Sequence, residues 1–238
     1  MGFSLMSVII PTLNEEKRLV KALESLQKQT FQNYEVVIAD GGSNDRTQEI
    51  ALEYGCKFVN VPKTRPHDVS TAKNVGVNTA EGDAIFLLDA DMYLDPNSLE
   101  VIDEKYDDPA VVGVALKVLP SDSSLLEVLF YELNNIMAYI GNAVGVQELS
   151  YFSCHSYRTD VFKEVGGFRT DLLACEDLDI SLRARYLGKY VVTHQAVLWT
   201  DPRRLREWSN MGYANRYLTY LKDYYLTDKV NEHYDDLT

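Results

Sequence analysis

This sequence predicts an α/β fold built on a mainly parallel sheet, and three observations carry that prediction. Short apolar runs bounded by turn residues recur through the first 95 residues. Amphipathic stretches of helical period separate them. Two of the runs end at carboxylates, Asp40 and Asp89-Ala90-Asp91. Strand alternating with helix is the pattern of parallel strands joined by right-handed crossovers.

The elements follow in order. Ser7 to Ile10 reads as a strand, Pro11 to Asn14 as a turn, and Glu15 to Gln29 as a helix capped by Asn14, with Leu19, Ala22, Leu23 and Leu26 on one face. Glu35 to Ala39 is a second strand ending at Asp40, and Gly41-Gly42-Ser43-Asn44 leads into a helix from Asp45 to Tyr54. A short strand at Lys57 to Val61, a Pro-containing polar loop to Asp68 and a helix from Ser70 to Ala80 precede the apolar run Ala84 to Leu88. Beyond Asp91 the rhythm is mixed. A helix is expected near Asn97 to Tyr106, a strand at Val111 to Val118 and a long helix from Ser123 to Gly141, whose stripe Leu125, Leu129, Leu133, Ile136 and Ile140 is expected to face the core. A strand at Tyr151 to Tyr157, a helix at Glu176 to Tyr186 and a strand at Tyr190 to Thr193 follow. No linker separates domains, so residues 1–238 read as one domain with a nucleotide-binding half (1–95), a second half (96–208) and a helical tail (209–238).

Composition narrows the function. Hydrophobic residues make up 46% of 238, ample for a buried core. With 23 basic against 36 acidic residues the net charge is −13, which argues against a general nucleic-acid-binding surface. Cys56, Cys154 and Cys175 are widely spaced and follow no signal peptide, so reduced thiols and a cytoplasmic setting are expected. No apolar stretch reaches the roughly 18 residues of a bilayer span.

The chemistry concentrates at the strand ends. If Asp89 and Asp91 extend the apolar strand, their side chains point to one face at its carboxyl end, where open α/β sheets bind ligands. Two convergent carboxylates there suit Mg²⁺ or Mn²⁺ shared with a substrate phosphate; a solvated turn is the plain alternative. Asp40 can accept hydrogen bonds from a base or ribose, or simply close a βα turn that needs glycine. Glu176, Asp177 and Asp179 fit the first turn of any helix, and one of them can also serve as a general base. Arg203-Arg204 is either a surface pair or a guanidinium site for a diphosphate leaving group. Of the four histidines only His194, at a strand end, stands near such groups in the sequence.

Together these segments resemble inverting glycosyltransferases of family 2, which have the GT-A fold and include dolichol-phosphate mannose synthases. The resemblance rests on Val8 to Glu15, Asp40 to Asp45, Ala72-Lys73-Asn74-Val75-Gly76, Gly82-Asp83 leading to Asp89-Ala90-Asp91, Gly166-Gly167-Phe168, Glu176-Asp177 and Arg203-Arg204, in the family's order. It implies that Pro11, Thr12, Leu13, Glu15 and Asp40 line a nucleoside pocket. It also implies that Asp89 and Asp91, with Ala90 between them, hold the donor diphosphate through a metal, and that Asp177, beside Glu176, is the catalytic base. Lys73 stands where the family often has arginine, keeping positive charge without the bidentate fork. The implied reaction moves one sugar from a UDP- or GDP-linked donor to a glycan hydroxyl or a polyprenyl-phosphate-linked acceptor. The competing readings are a non-catalytic nucleotide-sugar-binding module and a nucleotidyltransferase, the latter expected to carry a Gly-rich basic loop that Pro11 to Glu15 lacks.

One further expectation concerns location. Residues 201 to 222 carry five basic residues against two acidic ones, with Trp208, Tyr213, Tyr217 and Tyr220 among them. A helix of that composition suits weak contact with a membrane surface, or else packs on the domain with its arginines toward the donor.

Overall fold

The computed structural model describes residues 4–62, 68–144 and 154–230. Its core is one sheet of eight strands in the order β3-β2-β1-β4-β7-β6-β8-β5. Strands β1 (Met6–Thr12), β2 (Tyr34–Asp40), β3 (Lys57–Asn60) and β4 (Ala84–Leu87) are parallel, as the alternating pattern requires. β7 (His155–Arg158) runs antiparallel between β4 and β6 (Val111–Pro120). β8 (Lys189–Thr200) is parallel to β6, and β5 (Met92–Leu94) closes the far edge antiparallel to β8. The carboxyl ends of β1, β2, β4, β6 and β8 therefore lie along the same side of the sheet, and each hands its chain to a candidate functional segment.

Alternation along β1 divides the core. Met6, Val8 and Ile10 pack on one face with Leu19, Ala22, Leu23 and Leu26 of α1 (Leu19–Gln27), while Ile9 packs on the other with Val77 of α3 (Val69–Thr79). The second face is so close to α3 that a Cβ at Gly76 would meet Ile9 Cγ2 at 2.3 Å. Glycine is needed there for approach, not for backbone freedom. The remaining helices are α2 (Thr47–Glu53), α4 (Ser98–Lys105), α5 (Leu125–Ala143), α6 (Thr159–Glu164), α7 (Glu176–Ala184) and α8 (Arg203–Thr227).

Several expectations need correction. Helix α1 starts at Leu19, not Glu15, because Glu15 to Arg18 form a turn. Asn14 is in the left-handed region at φ 56° and uses its side chain to accept from the Asn44 amide instead of capping. The apolar run at 84–88 leaves the sheet after Leu87, so Asp89 to Asp91 form a turn, not a strand extension. Met92 to Leu94, outside every expected element, pair with β8. β8 continues seven residues past Thr193 because three residues loop out where Leu116 pairs Thr193 and Lys117 pairs Val197, after which the ladder resumes. Helix α6 had no clear sequence signal. In the expected strand at Tyr151 to Tyr157, residues 151–153 lie outside the described residues.

The largest correction is α5. Its expected core stripe faces outward: Leu125, Leu129, Leu133, Ile136 and Ile140 are exposed, while Glu127, Tyr131, Asn134, Asn135 and Ala138 are buried. Specific hydrogen bonds explain the inversion. Asn135 accepts from the Val118 amide at 3.0 Å and donates to the Val118 carbonyl at 2.7 Å, satisfying backbone groups of β6. Glu127 closes a capping box with Ser124 and accepts from Arg206 Nε of α8 at 2.7 Å.

Candidate active site

At the carboxyl ends of β1 and β2, Thr12 Oγ1 donates to Asp40 Oδ1 at 2.9 Å. The other oxygen of Asp40 accepts the amides of Gly42 (2.9 Å) and Ser43 (2.8 Å). Gly42 sits at φ 100°, a conformation that favours glycine, so Asp40 is the clasp of this turn. The adjoining loops are joined by Glu15 and Glu16 amides donating to Thr47 and Asp45 side chains, and Glu15 pairs with Arg18 at 3.0 Å. Pro11, Leu13 and Glu15 are half-buried along the same rim.

The turn after β4 brings Asp89, Ala90 and Asp91 over this edge. Ala90 is buried, and the Asp89 amide meets Cys154 Sγ at 3.4 Å. Arg203, the first residue of α8, reaches this turn because β8 ends on the same side; its Nη2 lies 3.7 Å from Asp91 Oδ2. A cleft of about 300 Å³ opens beside Asp91, lined in part by Lys17, Lys21, Tyr93, Asp122 and Arg206. The Arg204 side chain lies outside the described residues.

The deepest part of the site is a buried cluster between α3 and the start of α7. Lys73 Nζ donates to Asp177 at 2.9 and 3.1 Å and to Glu176 at 3.4 Å, and Lys73 is 1% exposed. A second clamp sets this distance. Asn74 accepts from the Phe168 amide and donates to its carbonyl, both at 2.9 Å, tying α3 to the loop ahead of α7. Gly167 (φ 68°) makes that clamp possible, since a Cβ there would stand 2.7 Å from Asn74 Oδ1. Cys175, also left-handed at φ 63°, turns the chain into α7 so that Glu176 and Asp177 face Lys73. Asp179 plays a different part: Arg183 Nε and the Tyr224 hydroxyl donate to it at 2.8 and 2.9 Å, so it fastens α7 to α8.

Electrostatics follow from burial. Desolvation raises the Asp177 carboxyl above the usual aspartate range; the Lys73 ammonium opposes this and the nearby Asp89 charge adds to it. Desolvation and the neighbouring Asp177 charge likewise raise Glu176. Burial works against charge on Lys73, but Asp177, Glu176 and Asp89 together hold its ammonium above the ordinary lysine value. Burial, with the Glu176, Asp177 and Asp179 charges adding to it, pushes the Cys175 thiol up to about 12, so it stays protonated near neutrality.

Comparison with known proteins identifies the scaffold. The profile described as Glycosyl transferase family 2 matches residues 7–166. The chain belongs to that family. Among curated relatives, the 4,4'-diaponeurosporenoate glycosyltransferase of Staphylococcus haemolyticus is 40% identical over 105 residues, 42% of this chain and 28% of that protein. The undecaprenyl-phosphate 4-deoxy-4-formamido-L-arabinose transferase of Aeromonas hydrophila is 37% identical over 102 residues, 40% of this chain and 31% of that protein. The chain thus spans less than a third of either relative. In fold, it is similar to Staphylococcus aureus TarS 1-349 in complex with UDP-GlcNAc (TM-score 0.65, 23% identity, 82% of this chain and 58% of that one). It is also similar to the mannosyltransferase PcManGT of Pyrobaculum calidifontis in complex with GDP-Man and Mn²⁺ (TM-score 0.67, 18% identity, 92% and 65%). These likenesses establish the GT-A architecture.

Within this family-2 chain, the profile ends before α7, so Glu176, Asp177 and Arg203 are located by geometry, not by the match. Lys73, expected from the resemblance to bring positive charge to the site, places its ammonium on the two carboxylates Asp177 and Glu176. Sequence reasoning missed the Asn74 clamp and Cys154. The adjacency of Lys73-Asn74 and the paired glycines before Phe168 was the only available signal for the clamp. His194 stands beside Tyr139, with ring centroids 5.1 Å apart, and His67 and His233 lie outside the described residues. Among the described residues no group of three or more His, Cys, Asp or Glu side chains could hold a metal ion. Two carboxylates, Asp89 and Asp91, fit a hard oxygen-ligated cation that completes its shell with water and substrate phosphate, and do not fit a closed structural site.

Residues 201–222 carry two expectations, contact with a membrane surface or packing on the domain. Tyr217 and Tyr220 are buried, and Arg206 is held by Glu127. The side chains of Trp208 and Tyr213 lie outside the described residues, and no helix among the described residues is long and apolar enough to cross a membrane.

Proposed function

We propose that this chain transfers one sugar from a nucleoside-diphosphate donor to an acceptor by a single in-line displacement with inversion, Asp177 being the base. The observation that carries the reading is the Lys73-Asp177-Glu176 cluster. It holds a carboxylate of raised proton affinity at a helix N-terminus, close enough to the Asp89–Asp91 turn for Asp89 to influence its charge. General-base catalysis is most effective when proton affinity approaches the working pH, and desolvation moves Asp177 in that direction.

Each group then has a part. Pro11, Thr12, Leu13, Glu15 and the Asp40 turn shape the nucleoside end. Asp89 and Asp91 would hold Mg²⁺ or Mn²⁺, which supplies charge neutralisation to the donor diphosphate when bound. Arg203, 3.7 Å from Asp91, adds positive charge where the leaving group departs. Asp177 accepts the proton of an acceptor hydroxyl. If the acceptor is a polyprenyl phosphate, as the undecaprenyl-phosphate transferase relative suggests, the nucleophile is already anionic and Asp177 orients it. The donor is UDP- or GDP-linked by analogy with the ligands of the structural neighbours. Action at the cytoplasmic face, in contact with the membrane surface, is part of the same proposal.

The test separates binding from chemistry. Calorimetric titration with UDP and GDP, with and without Mn²⁺, identifies the base and the metal requirement, and Asp91→Ala should abolish the Mn²⁺-dependent part. Asp177→Asn should keep donor binding and lose turnover on a hydroxyl acceptor by about a hundredfold or more. Because the carboxyl is raised and must be ionised to act, wild-type turnover should climb with pH along a limb displaced above the usual aspartate range. Full turnover by Asp177→Asn on a hydroxyl acceptor would remove Asp177 from the role of base.

A further inference from the structure

Helix α5 presents to solvent a face that the transfer chemistry does not use. Leu126, Leu129, Leu133, Ile136 and Ile140 alternate at spacings of three and four residues, the average 3.5-residue period of a helix–helix seam. Leu125, Tyr139 and Val144 flank the seam, and exposure across these eight side chains runs from 49% at Ile136 to 74% at Leu125. At 1.5 Å rise per residue the seam is about 21 Å long.

Two physical arguments identify the occupant. The first is charge. The helix contains no lysine or arginine, and its two acidic residues are turned away, Glu127 onto Arg206 and Glu132 onto Lys117 Nζ at 2.7 Å. An uncharged seam on a chain of net charge −13 offers nothing to anionic lipid headgroups, which amphipathic surface helices engage through basic rims. Two such seams can meet without like-charge repulsion. The second is area. Eight large apolar side chains exposed to this degree present on the order of 800 Å² on one chain, above the usual patch of a monomer and equal to one side of a standard interface. The helix is also held rigid beforehand by its capping box and by the Asn135 and Glu127 bonds, which lowers the ordering cost of pairing.

We propose that α5 is a homodimer interface, its leucine–isoleucine seam packing against the same seam of a second copy across a two-fold axis. This inference is independent of the transfer reading.

Sedimentation velocity of the full chain over a range of protein concentrations tests it, alongside the double variant Leu129→Lys with Ile136→Lys. Both positions are exposed and lie outside the residues assigned to the site. The wild type should sediment as two chains at micromolar concentration. The variant should sediment as one, with unchanged circular dichroism and an unchanged thermal-shift response to UDP and GDP. Leu133→Gln, which adds no charge, should weaken association at least tenfold and serves if the double variant folds poorly. A wild type that remains a single chain at tens of micromolar, or a dimer that survives both variants, overturns the proposal. So does flotation of a single-chain wild type with phosphatidylcholine vesicles that is lost on the same substitutions, which would assign the seam to lipid.

Discussion

Helices α1 and α5 both carry leucines at three- and four-residue spacing, yet they bury opposite kinds of face. α1 lays Leu19, Ala22, Leu23 and Leu26 on the apolar side of β1. α5 turns Glu127, Asn134 and Asn135 inward and leaves its leucines outside. What lies beneath each helix decides the difference. Under α1 is an apolar sheet face. Under α5 are backbone groups of β6 at Val118, which burial would leave unsatisfied unless a polar side chain reached them, and at the rim the exposed Arg206 of α8 meets Glu127. Hydrophobic period therefore announces a helix in both cases, but it assigns the inward face only where the opposing surface is apolar.

The comparison is sharpest where a helix buries a full charge, as α3 does with Lys73. Replacing Lys73 by Met should cost about 3–5 kcal/mol in chemical denaturation, because Asp177 and Glu176 lose their buried counter-ion. The same variant should move the pH limb of turnover to higher pH, since the group that favours ionised Asp177 is gone. An unchanged limb would show that Lys73 has no hold on Asp177.

Leu23→Ala in α1 should cost about 2–4 kcal/mol by leaving a cavity in the core. Asn135→Ala in α5 should cost about 1–3 kcal/mol, because it orphans the Val118 amide and carbonyl. If Asn135→Ala proved neutral while Leu23→Ala did not, the account of the inverted face would be wrong.

Acid offers a smaller probe of the same helix. The Arg206 guanidinium and the Ser124 cap hold Glu127 down to about 2, below the ordinary glutamate value of 4.5. A depressed carboxyl adds stability that is present above its unfolded value and lost as pH falls. The α5–α8 contact should therefore weaken between pH 4.5 and about 2, by about 1–2 kcal/mol. Hydrogen exchange of α5 amides through that range, compared with Glu127→Gln, reads it; Glu127→Gln should show no such step. The smallest effect belongs to the seam. Leu129→Ala should change stability by less than about 0.5 kcal/mol at dilutions where chains are apart, in contrast to Leu23→Ala.

The legibility of the site follows the same logic. The Asp40 turn and the Asp89-Ala90-Asp91 turn were readable because strand ends and turn residues are local signals. The geometric reason offered for Asp89 and Asp91 did not hold, since β4 ends at Leu87 and a turn, not strand periodicity, sets their direction. Asp179 could not be told from Asp177 by composition, as both suit a first helical turn; only the facing residues, Arg183 and Tyr224 against Lys73, separate them.

By itself the sequence determined the alternation of strand and helix, the parallel direction of the first four strands and the family. These rest on local apolar runs, glycine and proline punctuation, and motifs in a characteristic order. Tertiary structure alone decided which face of α5 is buried, that Lys73 neutralises Asp177 and Glu176, and that Arg203 stands beside Asp91. The Lys73 and Arg203 contacts join residues about a hundred positions apart, and whether a buried polar group is stable depends on partners that no local pattern reveals.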